Sequence, residues 1–441
     1  MKEIAGNTII SSLATQFEAF EKQLNGQSQS AVHQVRRAAM AQLQSTGLPA
    51  AKDEEYKFTN LTRAIGKNID FDLPKPAFNQ GTEEVNKTKI QALDAYSLVF
   101  LNGNYEASLS TLPAVDGLTV MPFAEALKAK AEVVESMFGK KAEAKTDPFI
   151  AMNTAFSQDG VFIEIGDKVV VDKPIALYFV GDSSQSQLSY QIRNMVVAGK
   201  FAEATIIEKF DTLGANESFT NVVNEFSVDE GSHIQYFKIE NDSEQSYHVS
   251  NTHASQETSS TFTANTIALN GAMVRNNLNI KLVGEGCESY MNGLYVLKGK
   301  THVDNHTVVD HVKANSYSNE LYKGIMDDKS KGVFNGKIFV RQDAQKTNAF
   351  QSNKNVLISD NATVNTKPQL EIWADDVKCS HGCTTGQLDE DALFYLQARG
   401  IQKEKARAIL LRAFASDVLE NINNEAIKDY LEQIITERLE A

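Results

Sequence analysis

Cysteine is scarce in this chain: only Cys287, Cys379 and Cys383 occur among 441 residues. That is too few to frame a disulfide scaffold and fits a reducing compartment. Basic charge is also short. Against 57 acidic residues stand 43 Lys and Arg, leaving a formal charge of -14, so the electrostatic footprint of a nucleic-acid binder is missing. Proteins or small ligands are the expected partners. No window approaches the roughly 18 continuous apolar residues that cross a bilayer, and no membrane partner is expected. The opening MKEIAGNTIISSLATQFEAFEKQ interrupts its apolar stretch with serines and continues into acids rather than a small-residue cleavage site. It reads as mature, cytoplasmic protein.

Catalytic signatures are equally sparse. GEGCES, Gly284 to Ser289, lacks the third glycine of a dinucleotide loop, and no G-x-x-x-x-G-K-[ST], H-E-x-x-H or G-x-S-x-G occurs. Carboxylates are spread widely, so a paired-acid hydrolase has no anchor. The sequence reads as a non-enzyme.

What is present falls into three textures, and the length alone favours two or three domains. Leu13, Phe17, Phe20 and Leu24, then Val32, Val35, Ala39 and Leu43 after Gly26, recur at helical spacing and predict two amphipathic helices. SLVFLNGNYEASL predicts a hairpin at Asn102-Gly103, and helix returns from Phe123 to Phe138. Residues 1–145 form this helix-rich region. From 146 to 378 the chain is a series of short β-branched runs, VFIEI, KVVV, ALYFV, LNIKL and KIFV among them, separated by Asn, Gly, Ser and Asp. Asn270-Gly271 and Asn292-Gly293 lie 22 residues apart and Asn335-Gly336 lies 43 further on. Such self-similarity suits the coils of a parallel β-helix, with a sandwich of Asn-Gly hairpins as the alternative. Residues 379–441 return to helix, with Asp389 and Asn423 or Asn424 as N-caps and Gly400 as a stop. Leu393, Leu396, Ile409, Ala413, Ile427, Leu431 and Ile434 supply apolar faces. So thin a bundle needs something to dock on.

KCSHGCTTG, Lys378 to Gly386, brings Cys379, His381 and Cys383 to alternate positions. On an extended backbone they share one face, but the outer pair then stands about 13 Å apart. Metal–sulfur bonds are only about 2.3 Å long, and three neighbouring ligands leave a tetrahedral ion one short. Gly382 could turn the chain, and Ser380 to Gly386 also reads as a polar turn into a helix. His302 and His306 share a strand face from which His311 turns away, which favours hydrogen-bonded roles over one metal site.

Three segments carry a resemblance. The run from Tyr322 to Ile401, containing GVFNGKIFVRQDAQKTNAFQSNKNVLISD and KCSHGCTTG, resembles the SufB/SufD family of iron-sulfur cluster assembly scaffolds. AMNTAFSQDGVFIEIGDKVVVDKPI, Ala151 to Ile175, is similar to the family's entry into its β-helix, and GLPAAKDEEYKFTNL to its N-terminal signature. SufB members usually carry S-H-E-A-T near Ser380-His381-Gly382, so Gly382 and the RGI ending the first tail helix place the resemblance on the SufD side. It implies a right-handed parallel β-helix flanked by an N-terminal helical region and a C-terminal helical domain. It also implies pairing with a SufB-like scaffold, docking of a SufC-like ATPase by the tail helices, and transient iron or a nascent iron-sulfur cluster at the scaffold interface. His381 matches a histidine implicated in that handling, and Cys379 is the adjoining candidate. Cys383 stands where the family usually has alanine, and Ser316 where many relatives have cysteine. Leu393, Phe394, Leu396, Ile409 and Leu410 are the candidate ATPase contacts. A chain with so few ligands is expected to hold no stable metal alone, and self-association of the isolated chain is compatible with the pairing. A stand-alone β-helix metal protein or carbohydrate enzyme is the alternative. A secreted enzyme of that kind would cluster acids along a coil face, whereas the distinctive residues here lie at the solenoid's end.

Overall fold

The computed structural model describes residues 2–23, 29–73, 75–420 and 422–440. Two of the positions read as helical pattern, Leu24 and Gly26, lie outside them. The chain opens with α1 (Lys2–Gln23), α2 (Ala31–Thr46), α3 (Leu61–Asn68) and α4 (Thr82–Thr88). Ser30 caps α2 by accepting the His33 N–H, and Asn60 caps α3 through Arg63 N–H. The expected hairpin forms from β1 (Tyr96–Leu101) and β2 (Asn104–Tyr105), with Asn102 and Gly103 both at positive φ as a tight turn requires. β3 (Leu118–Pro122), α5 (Phe123–Ala129), α6 (Ala131–Met137) and α7 (Pro148–Phe156) complete the N-terminal region.

Sixteen strands then wind into a parallel solenoid of eight two-strand coils. They are β4 (Val161–Ile165), β5 (Ile175–Asp182), β6 (Leu188–Ala198), β7 (Glu203–Leu213), β8 (Ser218–Val228), β9 (His233–Asn241), β10 (Ser246–Gln256), β11 (Thr261–Asn270), β12 (Met273–Leu282), β13 (Glu288–Leu297), β14 (His302–His311), β15 (Tyr317–Met326), β16 (Lys331–Val340), β17 (Thr347–Leu357), β18 (Thr363–Ile372) and β19 (Val377–Gly386). Odd and even strands build two separate sheets. Their inner faces enclose one apolar core, from Leu98 and Phe100 at one end to Tyr322 and Phe334 toward the other.

The solenoid expectation holds, but the 22-residue period does not. Successive coils advance between 26 residues (Tyr247 to Met273) and 33 residues (Phe162 to Met195). Two of the Asn-Gly pairs are not turns at all. Asn292-Gly293 lies inside β13 and Asn335-Gly336 inside β16. Gly293 is there because the Tyr322 ring lies on it: a Cβ would meet that ring at 2.1 Å. Asn292 donates to Asn265 in the coil below at 3.0 Å, a side-chain ladder rather than a corner.

The N-terminal region covers the even sheet and, through Val85 and Ile90, the first odd strand; the tail covers the rest of the odd sheet. The even sheet carries the N-terminal region, where α7 packs across β6 and β8 and Asn153 donates to the Ile192 and Asn221 carbonyls at 2.8 and 3.0 Å. The buried pair Arg193–Glu225 lies beneath, and Glu225 also accepts the N–H groups of Gly139, Lys141 and Ala142. The odd sheet is outwardly apolar, with Ile207, Phe237, Ile267, Leu294 and Ile325 in one stripe. The tail covers that stripe. α8 (Glu390–Ala398), α9 (Lys403–Leu419) and α10 (Glu425–Glu440) form as expected, capped by Asp389 and Asn424 and stopped at Gly400, which has φ +86°. α9 and α10 bury Leu411, Ala415, Val418, Ile427, Leu431 and Ile435 against it, and Lys323 donates to the Phe414 carbonyl at 2.7 Å. The buried α10 position is Ile435 where the sequence pattern pointed to Ile434, and Ala413 is exposed.

Candidate functional site

The last coil differs from the others because, among the described residues, no further strand stacks on its outer side. β18 pairs only with β16, and β19 only with β17, so each offers an edge of unpaired backbone groups. Pro368, in the middle of β18, is a residue that an edge strand accepts and a central strand excludes.

β19 contains the whole KCSHGCTTG motif. The turn reading of Ser380 to Gly386 is therefore overturned: the segment is a ten-residue strand. Ladder hydrogen bonds from β17 hold this polar sequence extended where its own composition would favour a turn. The register sets Cys379 beside Ala349, His381 beside Gln351 and Cys383 beside Asn353. Those β17 partners are buried in the coil interior, so the alternate residues of β19 share that inward-facing side, as the period of two requires. With no further coil to cover them, His381 and Cys383 are exposed and Cys379 is half-buried. Partial burial pushes the Cys379 thiol's pKa up, partly offset by a hydrogen bond from the Ala349 backbone. Beneath His381 the same column continues inward: Gln351 donates to Glu320 at 2.7 Å, and burial pushes the Glu320 carboxyl up to about 7. Among the described residues no group of three or more His, Cys, Asp and Glu is arranged to enclose a metal ion. The site offers two thiols and an imidazole along an open face.

The other cysteine and the histidine strand serve structure. Cys287 is fully buried, its thiol bonded to the Glu257 carbonyl at 3.1 Å, and Ser316 in the coil above accepts the Cys287 N–H at 3.3 Å. His311 faces inward and bonds Ser318 at 2.9 Å. His302 and His306 share the outer face as expected. There they meet a strap the sequence marked only as a signature: Glu54 to Thr59 crosses the even sheet. Lys367 donates to Glu54 at 2.5 Å, Arg275 lies 4.5 Å from the Tyr56 ring centre, Lys331 donates to the Phe58 carbonyl, and Thr59 bonds His302 at 3.0 Å. Hydrogen bonding from His306, with Lys337 adding to it, holds the Glu55 carboxyl down at about 2.

Of the tail candidates, Leu393, Leu396, Ile409 and Leu410 are half-buried, while Phe394 is 71% exposed. Tyr395, which sequence reasoning passed over, is 56% exposed with Arg399 over its ring at 4.6 Å. A signal was available. Leu393 to Leu396 are four consecutive large apolar residues, and four in a row on a helix cannot all share one buried face. Trp373, just after β18, is a further exposed aromatic, stacked 6.3 Å from Phe339.

Comparison with known proteins bears on this geometry. The family model of the SufBD core domain of SUF-system iron-sulfur cluster assembly matches residues 179–414, and that of the SufBD N-terminal region matches residues 7–177. An iron-sulfur cluster assembly SufBD family protein of Synechocystis is 30% identical over 94% of this chain and 92% of its own length. The iron-sulfur cluster assembly protein SufD of Escherichia coli is 30% identical over 91% of both chains. The SufD protein of Bacillus subtilis is 24% identical over 90% of this chain and 92% of its own. With both family models matched in sequence order across the helical region, the solenoid and into the tail, the chain belongs to the SufBD family of iron-sulfur cluster assembly proteins.

Proposed function

We propose that this chain is a non-catalytic, SufD-type subunit that pairs through its open last coil with a SufB-like scaffold. Through its C-terminal helices it docks a SufC-like ATPase. The observation that carries this reading is the uncapped coil. Solenoid ends need a polar cap for solubility, and here the end instead presents strand edges, Trp373 and the inward side of β19. A partner that continued both sheets would cover Cys379 and His381 and bring its own ligands to them. Iron, or the cluster being built, is then cargo held between two chains. Thiolate is the soft ligand suited to iron-sulfur chemistry and neutral imidazole a borderline one. Cys383 supplies a second thiol of lesser weight.

α9 and α10 are committed to the solenoid, so the ATPase contact falls on α8, on Phe394 and Tyr395 with Leu393 and Leu396 behind them, and Ile409 and Leu410 on the flank. Deleting the tail would uncover the apolar stripe of the odd sheet; point variants on α8 test docking without that damage.

The deciding experiment co-expresses the chain anaerobically with SufB-like and SufC-like partners and measures complex recovery, melting temperature and cluster yield on the same variants. His381→Ala should leave assembly and melting unchanged and lower cluster yield; Phe394→Ala should reduce ATPase recovery alone. Normal cluster yield in His381→Ala would remove that residue from the site. The isolated chain should hold less than one stable cluster, and a full equivalent bound without partners would overturn the shared-site reading.

A further inference from the structure

A cavity of about 510 Å³ lies between the outer face of the even sheet and the N-terminal region. Its floor is β10, β12 and β14 and its wall the segment around Lys140 to Asp147. The size suits a small molecule.

The charges in the cavity divide unequally. Each acidic residue in the lining is already engaged: Glu55 by Lys337 and His306, Glu143 by Lys145, Asp147 by the Tyr56 hydroxyl, and Asp310 by Arg341. Arg275 is spent on Asp304 and the Glu55 carbonyl. Lys140, Lys141 and Lys281 are different. Among the described residues no ion pair or hydrogen bond engages any of their ammonium groups, and all three line the cavity. Two further lining residues have polar atoms without a protein partner, His253 at Nε2 and Asn251 at Nδ2. A chain of net charge -14 thus gathers uncommitted cationic groups around one concavity. No Phe, Tyr or Trp lines it, so there is no surface on which a nucleobase or flavin would stack.

From this arrangement we propose that the cavity binds a small, non-aromatic polyanion, its charged oxygens taken by Lys141 and Lys281. Burial pulls the pKa of Lys141 down, opposed by Glu225 and Glu257 and assisted by Lys281; a bound anion relieves that strain on the ammonium.

Phosphate- and carboxylate-bearing ligands share this chemistry, and two probes separate them. Isothermal titration of the full chain with inorganic pyrophosphate and with citrate should show one binding event per chain for at least one probe, with Kd below about 1 mM. Binding of pyrophosphate alone assigns a phosphate ligand, and of citrate alone a carboxylate one. Lys281→Ala, at an exposed and unpartnered position, should weaken binding at least about tenfold, the loss of one charge-assisted contact. Lys52→Ala, on the exposed surface outside the cavity lining, should leave it unchanged. The bound probe should also raise the melting temperature of the wild type more than that of Lys281→Ala. Failure of both probes to bind, or equal binding by wild type, Lys281→Ala and Lys141→Ala, overturns the proposal.

Discussion

The middle coils and the last coil are built alike, yet they meet opposite surroundings. In β13 every residue from Met291 to Leu297 is buried, and Tyr295 bonds Asn355 and Asn353 of β17, across the intervening β15. In β19 only Val377 and Cys379 are even half-buried. The ladder continues unbroken through both, so hydrogen bonding alone does not make a coil interior. A coil interior is dry only when something covers it on each side, as β1 and β3 cover the first coil. Coil by coil, the solenoid therefore passes from a closed core to an open surface.

Substitutions should register that contrast, and the largest effect is expected in the closed part. Tyr295→Ala should cost about 3–5 kcal/mol, as for a fully buried aromatic, read from urea or thermal unfolding. The comparable truncation Trp373→Ala, at a half-exposed ring, should cost less than about 1 kcal/mol. Equal losses would show that the last coil is as closed as the rest.

Glu320 sharpens the comparison through pH. Its folded pKa, raised by burial to about 7, lies above the unfolded value of about 4.3. Between these values the folded state binds more protons, so this group's contribution falls as pH rises through that window and is fully present only below it. Glu320→Gln should flatten the decline and stabilise the chain above pH 7 by up to about 3 kcal/mol. An unchanged pH profile in the variant would place Glu320 in a wetter interior than its burial indicates.

Two glycines of the odd sheet, Gly293 facing inward and Gly382 outward, give a smaller, cleaner pair. A Cβ on Gly293 collides with the Tyr322 ring, whereas one on Gly382 has nothing within 4 Å. Gly293→Ala should destabilise by about 1–3 kcal/mol, and Gly382→Ala by less than about 0.5 kcal/mol. Melting curves of the two variants side by side check this. Least perturbing of all is thiol alkylation of the isolated chain, where Cys383 should react first, Cys379 more slowly and Cys287 only on unfolding. Adding a SufB-like partner should protect Cys379 and Cys383, and undiminished labelling in the complex would leave the last coil uncovered.

Much of this organisation was legible in the sequence because its signals are local. Asp389, Gly400 and Asn424 act within a few residues of themselves, as does the Asn102-Gly103 turn. The strand character of residues 161–372 follows from β-branched composition. The coil period was not legible, since Asn-Gly also serves where an asparagine ladder or a close-lying ring needs it, and dipeptides do not reveal which. The strap from Glu54 to Thr59 was beyond reach for another reason: its partners Arg275, His302 and Lys367 lie more than 200 residues away.

The site divides along the same line. Alternation along an extended backbone already put Cys379, His381 and Cys383 on one face and left them short of a closed metal site, because side-chain direction and ligand count are properties of a short segment. Whether that segment was turn or strand, which way the face pointed and whether anything covered it were settled by β17 on one side and by the absence of a further coil on the other. The apolar stripe that claims α9 and α10 while leaving α8 uncovered was likewise decided by the stacking of strands far apart in the chain. Local sequence fixes what a residue can do; solvent exposure, which arises only when distant coils stack, decides where it can do it.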